Sequence, residues 1–208
     1  MLDRRTFALT LLAGTAMPWQ SVFAAASSAQ VDEASRFLDE LASRALAVLR
    51  RSEGDALARE PAFRDLLSEG FDVPFIGRFA LGRHWRGATP EQRARYQTLF
   101  SDFLVKTYTR RLSDYSGESF RVLGAAPAGK KDVMVRTRID RPGGPSIKVG
   151  WRVRAVAGTH KIIDVSVEGV SMAMTQRAEF ASVVRRNGID GLLQALGKQT
   201  RMHVANAS

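Results

Sequence analysis

The spacing of the apolar residues changes from a helical period to a period of two near residue 133, and this change constrains the fold more than any other feature of the chain. Between 133 and 139, and again between 147 and 155, nearly every second residue is apolar or threonine. The positions between them are mostly basic, including Arg136, Arg138, Lys148, Arg152 and Arg154. Successive side chains of a strand point to opposite faces, so the alternation predicts an antiparallel pair with one apolar face and one basic face. The segment Pro-Gly-Gly-Pro at 142–145 is the predicted turn.

Two further strands are expected beside this pair. Over 162–168, Ile163, Val165 and Val167 are predicted to lie on the apolar face and Ile162 on the polar face. Residues 120–123 fit a fourth strand at the edge of the sheet. The sequence therefore predicts a four-stranded antiparallel meander.

Helical patterns precede the strands. Apolar residues recur at helical spacing from 31 to 51, and Gly54 is expected to end that helix. A shorter helix is expected to start near Pro61, because a proline lacks the N–H that the first helical turn leaves unpaired. Gly70 is its expected end, and Pro74 is expected to open another short apolar helix.

A capping box marks the start of the longest predicted helix of this half. Thr89 precedes Pro90, and Gln92 stands three residues after the threonine, so the two side chains can bond each other's backbone N–H groups. The apolar stripe that follows predicts a helix that ends near 113–117.

The chain returns to a helical pattern after the sheet. Ser171 is a predicted N-cap for a helix over 172–186, Asn187 and Gly188 are expected to stop that helix, and a last one is expected over 190–198. Helices, then strands, then helices predict an α+β domain in which helices cover the apolar face of one curved antiparallel four-stranded sheet. The chain shows no internal repeat and no linker, so residues 27–208 are predicted to form one domain.

The first 26 residues resemble an export signal. Arg4 and Arg5 precede a moderately apolar run, and small residues follow up to Ala26. The paired arginines are typical of twin-arginine signals, although a general secretory signal also begins with positive charge. Residues 1–26 are therefore predicted to be an export signal peptide, and the mature chain is predicted to work outside the cytoplasm.

Few residues suit catalysis or metal binding. Cysteine is absent, and the three histidines lie far apart in sequence, at His84, His160 and His203. Asp164 and Glu168 are four residues apart on a predicted strand, which is a spacing for paired acid and base work. Lys148, Arg152 and Arg154 are simpler partners for these carboxylates, and Ser171 is better explained as a helix cap. We expect no metal, no cofactor and no catalytic residue.

The formal net charge is +10. A strongly basic chain is suited to bind nucleic acid, because contacts to the phosphates dominate protein–nucleic acid affinity. The predicted export of the chain argues against that partner. Most of the cations are expected to form the solvated face of the sheet. Some of them could also steer docking to acidic surfaces.

Four short motifs follow one another along the chain. They are Leu81-Gly82-Arg83, the segment Ala-Thr-Pro-Glu-Gln-Arg at 88–93, Glu168-Gly169-Val170-Ser171-Met172, and Asn-Gly-Ile-Asp-Gly-Leu at 187–192. Together they resemble the MlaC family, periplasmic phospholipid carriers of Gram-negative bacteria. Each is weak alone, but their order and spacing are similar to the family's over about 71–196.

The resemblance implies a cystatin- or NTF2-like fold in which sheet and helices part to leave a deep apolar cavity for acyl chains. Periodicity alone favours a solid core over a cavity. The predicted cavity walls are Phe75, Phe79, Phe100, Leu104, Tyr108, Val135, Val149, Trp151, Val153, Val165, Val167, Val170 and Met172.

The resemblance also implies partners. These are a phospholipid ligand, an inner-membrane ABC-transporter complex with an MCE-domain subunit, and an outer-membrane lipoprotein complex, and together they would maintain the lipid asymmetry of the outer membrane. A hopanoid is the nearest alternative ligand. A small-molecule enzyme on the same scaffold is an alternative of a different class, and clustered polar groups in the pocket would favour it.

Overall fold

The computed structural model describes residues 27–51, 56–111, 115 and 117–205. The predicted export signal and the expected break at Gly54 lie outside these ranges. The helices are α1 (Ser28–Arg51), α2 (Ala56–Gly70), α3 (Val73–Leu81), α4 (His84–Gly87), α5 (Pro90–Arg111) and α6 (Met172–Ala205). The strands are β1 (Ser119–Pro127), β2 (Asp132–Asp140), β3 (Ile147–Val156), β4 (Thr159–Val167) and β5 (Val170–Ser171). The α+β class with an antiparallel sheet is confirmed.

The predicted start of α5 is confirmed by its hydrogen bonds. The backbone N–H of Thr89 donates to Gln92 Oε1 at 3.1 Å, and the N–H of Gln92 donates to Thr89 Oγ1 at 3.2 Å. Asp72 caps α3 in a similar way, because its carboxylate accepts from the N–H of Phe75 at 3.0 Å. These caps satisfy N–H groups that have no partner within the helix.

The predicted start of the second helix at Pro61 is wrong, since α2 already begins at Ala56 and contains the proline. A proline inside a helix removes one backbone hydrogen bond, but side-chain contacts can compensate for that loss. Ion pairs of Arg64 provide such contacts in α2. Arg64 forms ion pairs with Glu60 at 3.1 Å, one turn back, and with Asp102 of α5 at 2.8 Å.

The sheet has five strands in the order β1-β2-β3-β4-β5, and every neighbouring pair is antiparallel. The prediction of four strands missed β5, which has only two residues. Glu168 and Gly169 form the tight turn between β4 and β5, with φ values of 48° and 83°. Positive φ at both central residues is typical of two-residue hairpin turns that match the twist of the strands.

A bulge in β4 corrects the predicted position of Ile162. Val153 of β3 lies opposite Ile162, whereas Arg152 lies opposite Asp164, so Ile163 is an extra residue in the ladder. An extra residue reverses the alternation on one side of it. Ile162 therefore lies on the apolar face, where it is fully buried, and not on the polar face.

Two hydrophobic clusters form the interior. The helix cluster joins α2, α3, α5 and α6 and consists of Leu67, Val73, Ala80, Leu81, Tyr96, Phe100, Val105, Phe180, Val184, Leu192, Leu193 and Leu196. The α1–sheet cluster consists of Ala34, Leu38, Leu41, Leu66, Val133, Val135, Val153 and Ile162. We call the face of the sheet that carries Val135 and Val153 the inner face, and the opposite face, which carries Arg136 and Arg152, the outer face. Half-buried Phe71 packs against both clusters.

The two predicted C-terminal helices form one element that is broken at Gly188. There φ is 69° and ψ is 179°, values that no α-helix contains. The second helical segment continues to Ala205, beyond the predicted end at 198. No helix in the described part of the chain is both long and apolar enough to cross a membrane.

Candidate functional site

The strand register brings seven of the predicted wall residues together on the inner face. They are Val135, Val149, Trp151, Val153, Val165, Val167 and Val170. Three of them, Val149, Val167 and Val170, lie opposite one another across β3, β4 and β5, and we call this set the valine row. The inner face therefore carries mainly apolar side chains, the kind that a site for a hydrophobic ligand requires.

The valine row lies outside the packed interior. Val135 and Val153 belong to the α1–sheet cluster, and Trp151 and Val165 pack against it. Val149 is 5% exposed and Val170 is 56% exposed, yet no residue of the row belongs to either cluster. Apolar side chains at this end of the inner face thus lie outside both clusters, as do some other buried apolar residues such as Leu49 and Ile163.

One pair of polar groups, the Trp151 indole N–H and the Thr137 hydroxyl, lies within the apolar inner face. The indole Nε1–H of Trp151 donates to Thr137 Oγ1 at 2.9 Å, and the Thr137 hydroxyl donates to the carbonyl of Val149 at 3.2 Å. Thr137 is only 1% exposed, so an unpaired indole N–H here would be costly. The pair fixes the orientation of the Trp151 ring, which also packs edge-on against Phe120.

Two of the predicted wall residues lie in the helix cluster. Phe100 is 1% exposed and its ring stacks on Tyr96 at 5.6 Å, while Leu104 packs against the same cluster. The Tyr96 hydroxyl donates to the carbonyl of Gly77 at 2.9 Å, and burial raises the pKa of this phenol. Phe100 thus contacts other rings of the helix cluster.

The remaining wall residues are dispersed. Phe75 and Phe79 of α3 lie under the guanidinium groups of Arg154 and Arg177, with 5.0 and 5.2 Å to the ring centroids. Such contacts are attractive because the ring face is negative. Arg154 belongs to the outer face, so the structure does not bring Phe75 to the inner face. Tyr108 and Met172 are half-buried and belong to neither cluster.

The groups considered for acid–base chemistry have structural roles. Asp164 accepts hydrogen bonds from Ser171 Oγ at 2.7 Å and from the N–H of Ala173 at 3.1 Å. Ser171 Oγ in turn accepts from the N–H of Met174, which confirms it as the N-cap of α6. Glu168 accepts from the backbone N–H of Lys148 at 2.7 Å. These bonds anchor the start of α6 and the β4–β5 turn to the sheet.

The structure describes two histidine side chains, those of His84 and His160. His160 lies in β4, its ring centroid is 5.8 Å from that of Phe37, and its Nε2 atom is 3.8 Å from the carboxylate of Glu33. Burial, followed by the nearby charges of Arg83 and Arg185, lowers the pKa of His84. Within the described residues, no group of three or more acidic or histidine side chains could hold a metal ion.

One buried carboxylate was missed by sequence reasoning. Asp132 is 2% exposed and accepts hydrogen bonds from Arg152 Nε at 2.7 Å and from Arg154 Nε at 2.6 Å. Burial by itself would raise the pKa of Asp132, but the bonds from the two arginines outweigh it and the pKa is lowered. In the sequence, the only indication of this site was an acidic residue next to a predicted strand with basic residues. Which arginines contact Asp132 depends on the register of β2 and β3, and the sequence does not reveal that register.

The fold is therefore an α+β domain in which a helix bundle and a helix-covered sheet enclose two packed clusters, and the valine row belongs to neither. The family model described as MlaC protein matches residues 39–198, which is most of the chain. The chain belongs to the MlaC family, and the resemblance seen in the sequence is confirmed.

Individual relatives agree with this assignment. The chain is 29% identical over 108 residues to the toluene tolerance protein ttg2D of Pseudomonas putida, covering 52% of this chain and 50% of that protein. It is 23% identical over 126 residues to the intermembrane phospholipid transport system binding protein MlaC of Haemophilus influenzae, covering 59% of each. The matched region thus spans about half the length of these two relatives, or slightly more.

A solved structure supports the fold. A phospholipid-binding protein from Ralstonia solanacearum, solved in complex with a phospholipid, superposes with a TM-score of 0.67. The superposition covers 83% of this chain and 99% of that protein, at 24% sequence identity. The two chains share the fold at this low identity.

Proposed function

We propose that this protein is a periplasmic phospholipid carrier whose inner face receives the acyl chains. The observation that carries the proposal is the valine row, an apolar end of the inner face that lies outside both packed clusters. Membership of the MlaC family supports it, as do the phospholipid in the Ralstonia structure and the name of the Haemophilus relative.

The chemistry of the inner face fits acyl chains. Burial is worth about 0.8 kcal/mol per methylene, so a two-chain lipid with on the order of 30 methylenes cannot cross water unaided at a useful rate. Valine and tryptophan side chains supply the apolar contact. The one polar pair on the surface, Trp151 and Thr137, is already satisfied by its own hydrogen bonds. A carrier of this kind needs no catalytic group, and we propose that the protein is not an enzyme.

The proposed function includes partners at both membranes. The carrier would exchange lipid with an inner-membrane ABC-transporter complex that has an MCE-domain subunit and with an outer-membrane lipoprotein complex, and so help to maintain outer-membrane lipid asymmetry. The sequence has no nucleotide-binding motif, so the energy for directional transport would come from the transporter.

The test is direct extraction of the ligand. Protein purified from a Gram-negative host without detergent should carry diacyl phospholipid, detected by native mass spectrometry and by mass spectrometry of the organic extract. Recovery of a hopanoid from a hopanoid-producing host would change the ligand class, and recovery of no lipid by either method would refute the carrier function.

A further inference from the structure

The outer face of the sheet carries an unusual row of like charges. Arg121 of β1 lies directly opposite Arg138 of β2, which lies directly opposite Lys148 of β3. Arg136 follows in the next row of the same face. We call these four residues the basic band. Like charges that face each other across strands destabilise a sheet, so folding alone does not account for the band.

The band has few counter-charges. Arg138 Nε is 2.8 Å from Asp140 Oδ1, and Ser146 Oγ also donates to that carboxylate, at 2.7 Å. Glu168 lies beside Lys148 but accepts from its backbone N–H. Within the described residues, Arg121, Arg136 and the amine of Lys148 form no ion pair. The positive charge is therefore available to a partner.

An exposed apolar side chain lies beside the basic band, on the edge strand of the sheet. The register of β1 shifts between Val122 and Gly124, and the residue between them is Leu123, which is 53% exposed. Val122 and Ala125 both pack against the α1–sheet cluster, so Leu123 must point to the outer face. An exposed leucine next to a group of cations suits a partner that has both negative charge and an apolar layer beneath it.

The residues directly opposite Arg136 have no side chains. Gly124 of β1 lies on one side of it, and a Cβ atom built there would have no neighbour within 4 Å. Gly150 of β3 lies on the other side, where the nearby space is filled by Ser166 Oγ and Met134 Sδ. Arg136 is exposed, so a partner that approaches the outer face can reach its guanidinium.

We propose that the basic band and Leu123 form a docking surface for an anionic phospholipid bilayer. The cations would contact the headgroup phosphates, and Leu123 would enter the boundary between headgroups and acyl chains. This surface is on the opposite side of the sheet from the valine row. The protein could therefore rest on a membrane while its inner face remains free, and the proposal does not depend on the ligand carried there.

Vesicle binding by the mature chain tests the proposal. Wild-type protein should co-sediment at low salt with vesicles of phosphatidylcholine and phosphatidylglycerol in a 7:3 ratio, and weakly with pure phosphatidylcholine vesicles. The triple variant Arg121→Gln, Arg136→Gln, Lys148→Gln should bind the anionic vesicles on the order of 100-fold more weakly, since each cation near such a surface contributes about fivefold. Leu123→Ser should weaken binding roughly three- to tenfold.

The matched control is the triple variant Arg95→Gln, Arg185→Gln, Arg186→Gln. It removes the same charge from exposed positions of α5 and α6 and should bind nearly as wild type does. Equal losses in the two triple variants would show that only net charge matters and would overturn the proposal, as would equal binding of wild type to both vesicle types.

Two further measurements distinguish a bilayer from a protein partner, and failure of the docking surface from failure of the carrier function. Binding to native membrane vesicles but not to protein-free vesicles of their extracted lipids would assign the band to an acidic protein and would refute the bilayer partner. Lipid extracted from the band variant should equal that from wild type. An empty wild-type protein would instead count against the carrier function and would leave the vesicle result standing.

Discussion

Val149 and Val153 are the same residue type on the same face of one strand, and both are nearly fully buried, at 5% and 1% exposure. Their surroundings differ. Val153 belongs to the α1–sheet cluster beneath α1, whereas Val149 belongs to neither cluster. Exposure alone does not distinguish these positions, because Val149 is also covered by protein atoms, but membership of the α1–sheet cluster does.

Tryptophan substitutions should distinguish them. Val153→Trp should cost typically 1–3 kcal/mol of unfolding free energy, because a close-packed site cannot accept the larger ring. Val149→Trp should cost less than about 1 kcal/mol and should sharply reduce bound phospholipid, because the ring would occupy acyl-chain space. Urea unfolding and quantified lipid extracts check both. Strong destabilisation by Val149→Trp, or a full complement of lipid in that variant, would contradict this account of the valine row.

The elements are defined by local signals of unequal strength. The caps at Thr89, Asp72 and Ser171 use hydrogen bonds within three residues of sequence, so the sequence is sufficient to locate those helix starts. Gly188 is a second local signal. Its φ of 69° and ψ of 179° fall in a region that is essentially restricted to glycine, and this is why α6 breaks there.

Two glycines of α6 provide a matched test. Gly188→Ala should destabilise the protein by about 1–3 kcal/mol, since alanine is strained at those angles. Gly197→Ala should instead stabilise it by about 0.4–1 kcal/mol, because the new methyl group would meet Leu99 Cδ2 at 3.8 Å and Arg201 at 3.5 Å, both ordinary contacts. Chemical denaturation of both variants gives the comparison. A Gly188→Ala variant as stable as wild type would show that the break does not depend on glycine.

Other features could not be predicted from local sequence. Alternation predicted the inner face correctly for Val135, Val149 and Val165, but a period of two cannot anticipate an extra residue, so Ile162 was assigned to the wrong face. The role of Phe75 as a wall residue followed from the family resemblance and stays a prediction. A helical pattern does not say which side chain a helix face meets, and the ring of Phe75 lies under Arg154.

At the scale of the whole molecule, Asp132 links the sheet to the helix bundle. Its carboxylate binds Arg152 and Arg154, and the guanidinium of Arg154 covers the ring of Phe75 on α3. Lys161 extends this junction, because its amine donates to the carbonyls of Ser68 and Glu69 at the end of α2. The contacts of Asp132 depend on pH, because its carboxylate is protonated in acid.

Acid should weaken the junction. The pKa of Asp132 is below its ordinary value of 3.8, so its contribution to stability is fully present above that value and is lost as the pH falls through the lowered pKa. Asp132→Asn should cost roughly 1–3 kcal/mol at pH 7, because it removes the charge that both arginines bind. The difference from wild type should shrink below about pH 4. Urea unfolding at pH 7 and pH 3 measures it, and an equal difference at both values would contradict the assignment.

The bulge at Leu123 has a consequence for self-association. β1 is the outermost strand on its side of the sheet, and a straight outermost strand exposes unpaired N–H and C=O groups to which strands of other molecules can add. Three features are known to prevent such pairing: a bulge, which twists the strand; a proline, which lacks an N–H donor; and a charged side chain, which disfavours pairing with a second copy. β1 has a bulge between Val122 and Gly124, a proline at Pro127 and a charge at Arg121. The irregularity that turns Leu123 outward therefore also makes β1 a poor template for sheet extension.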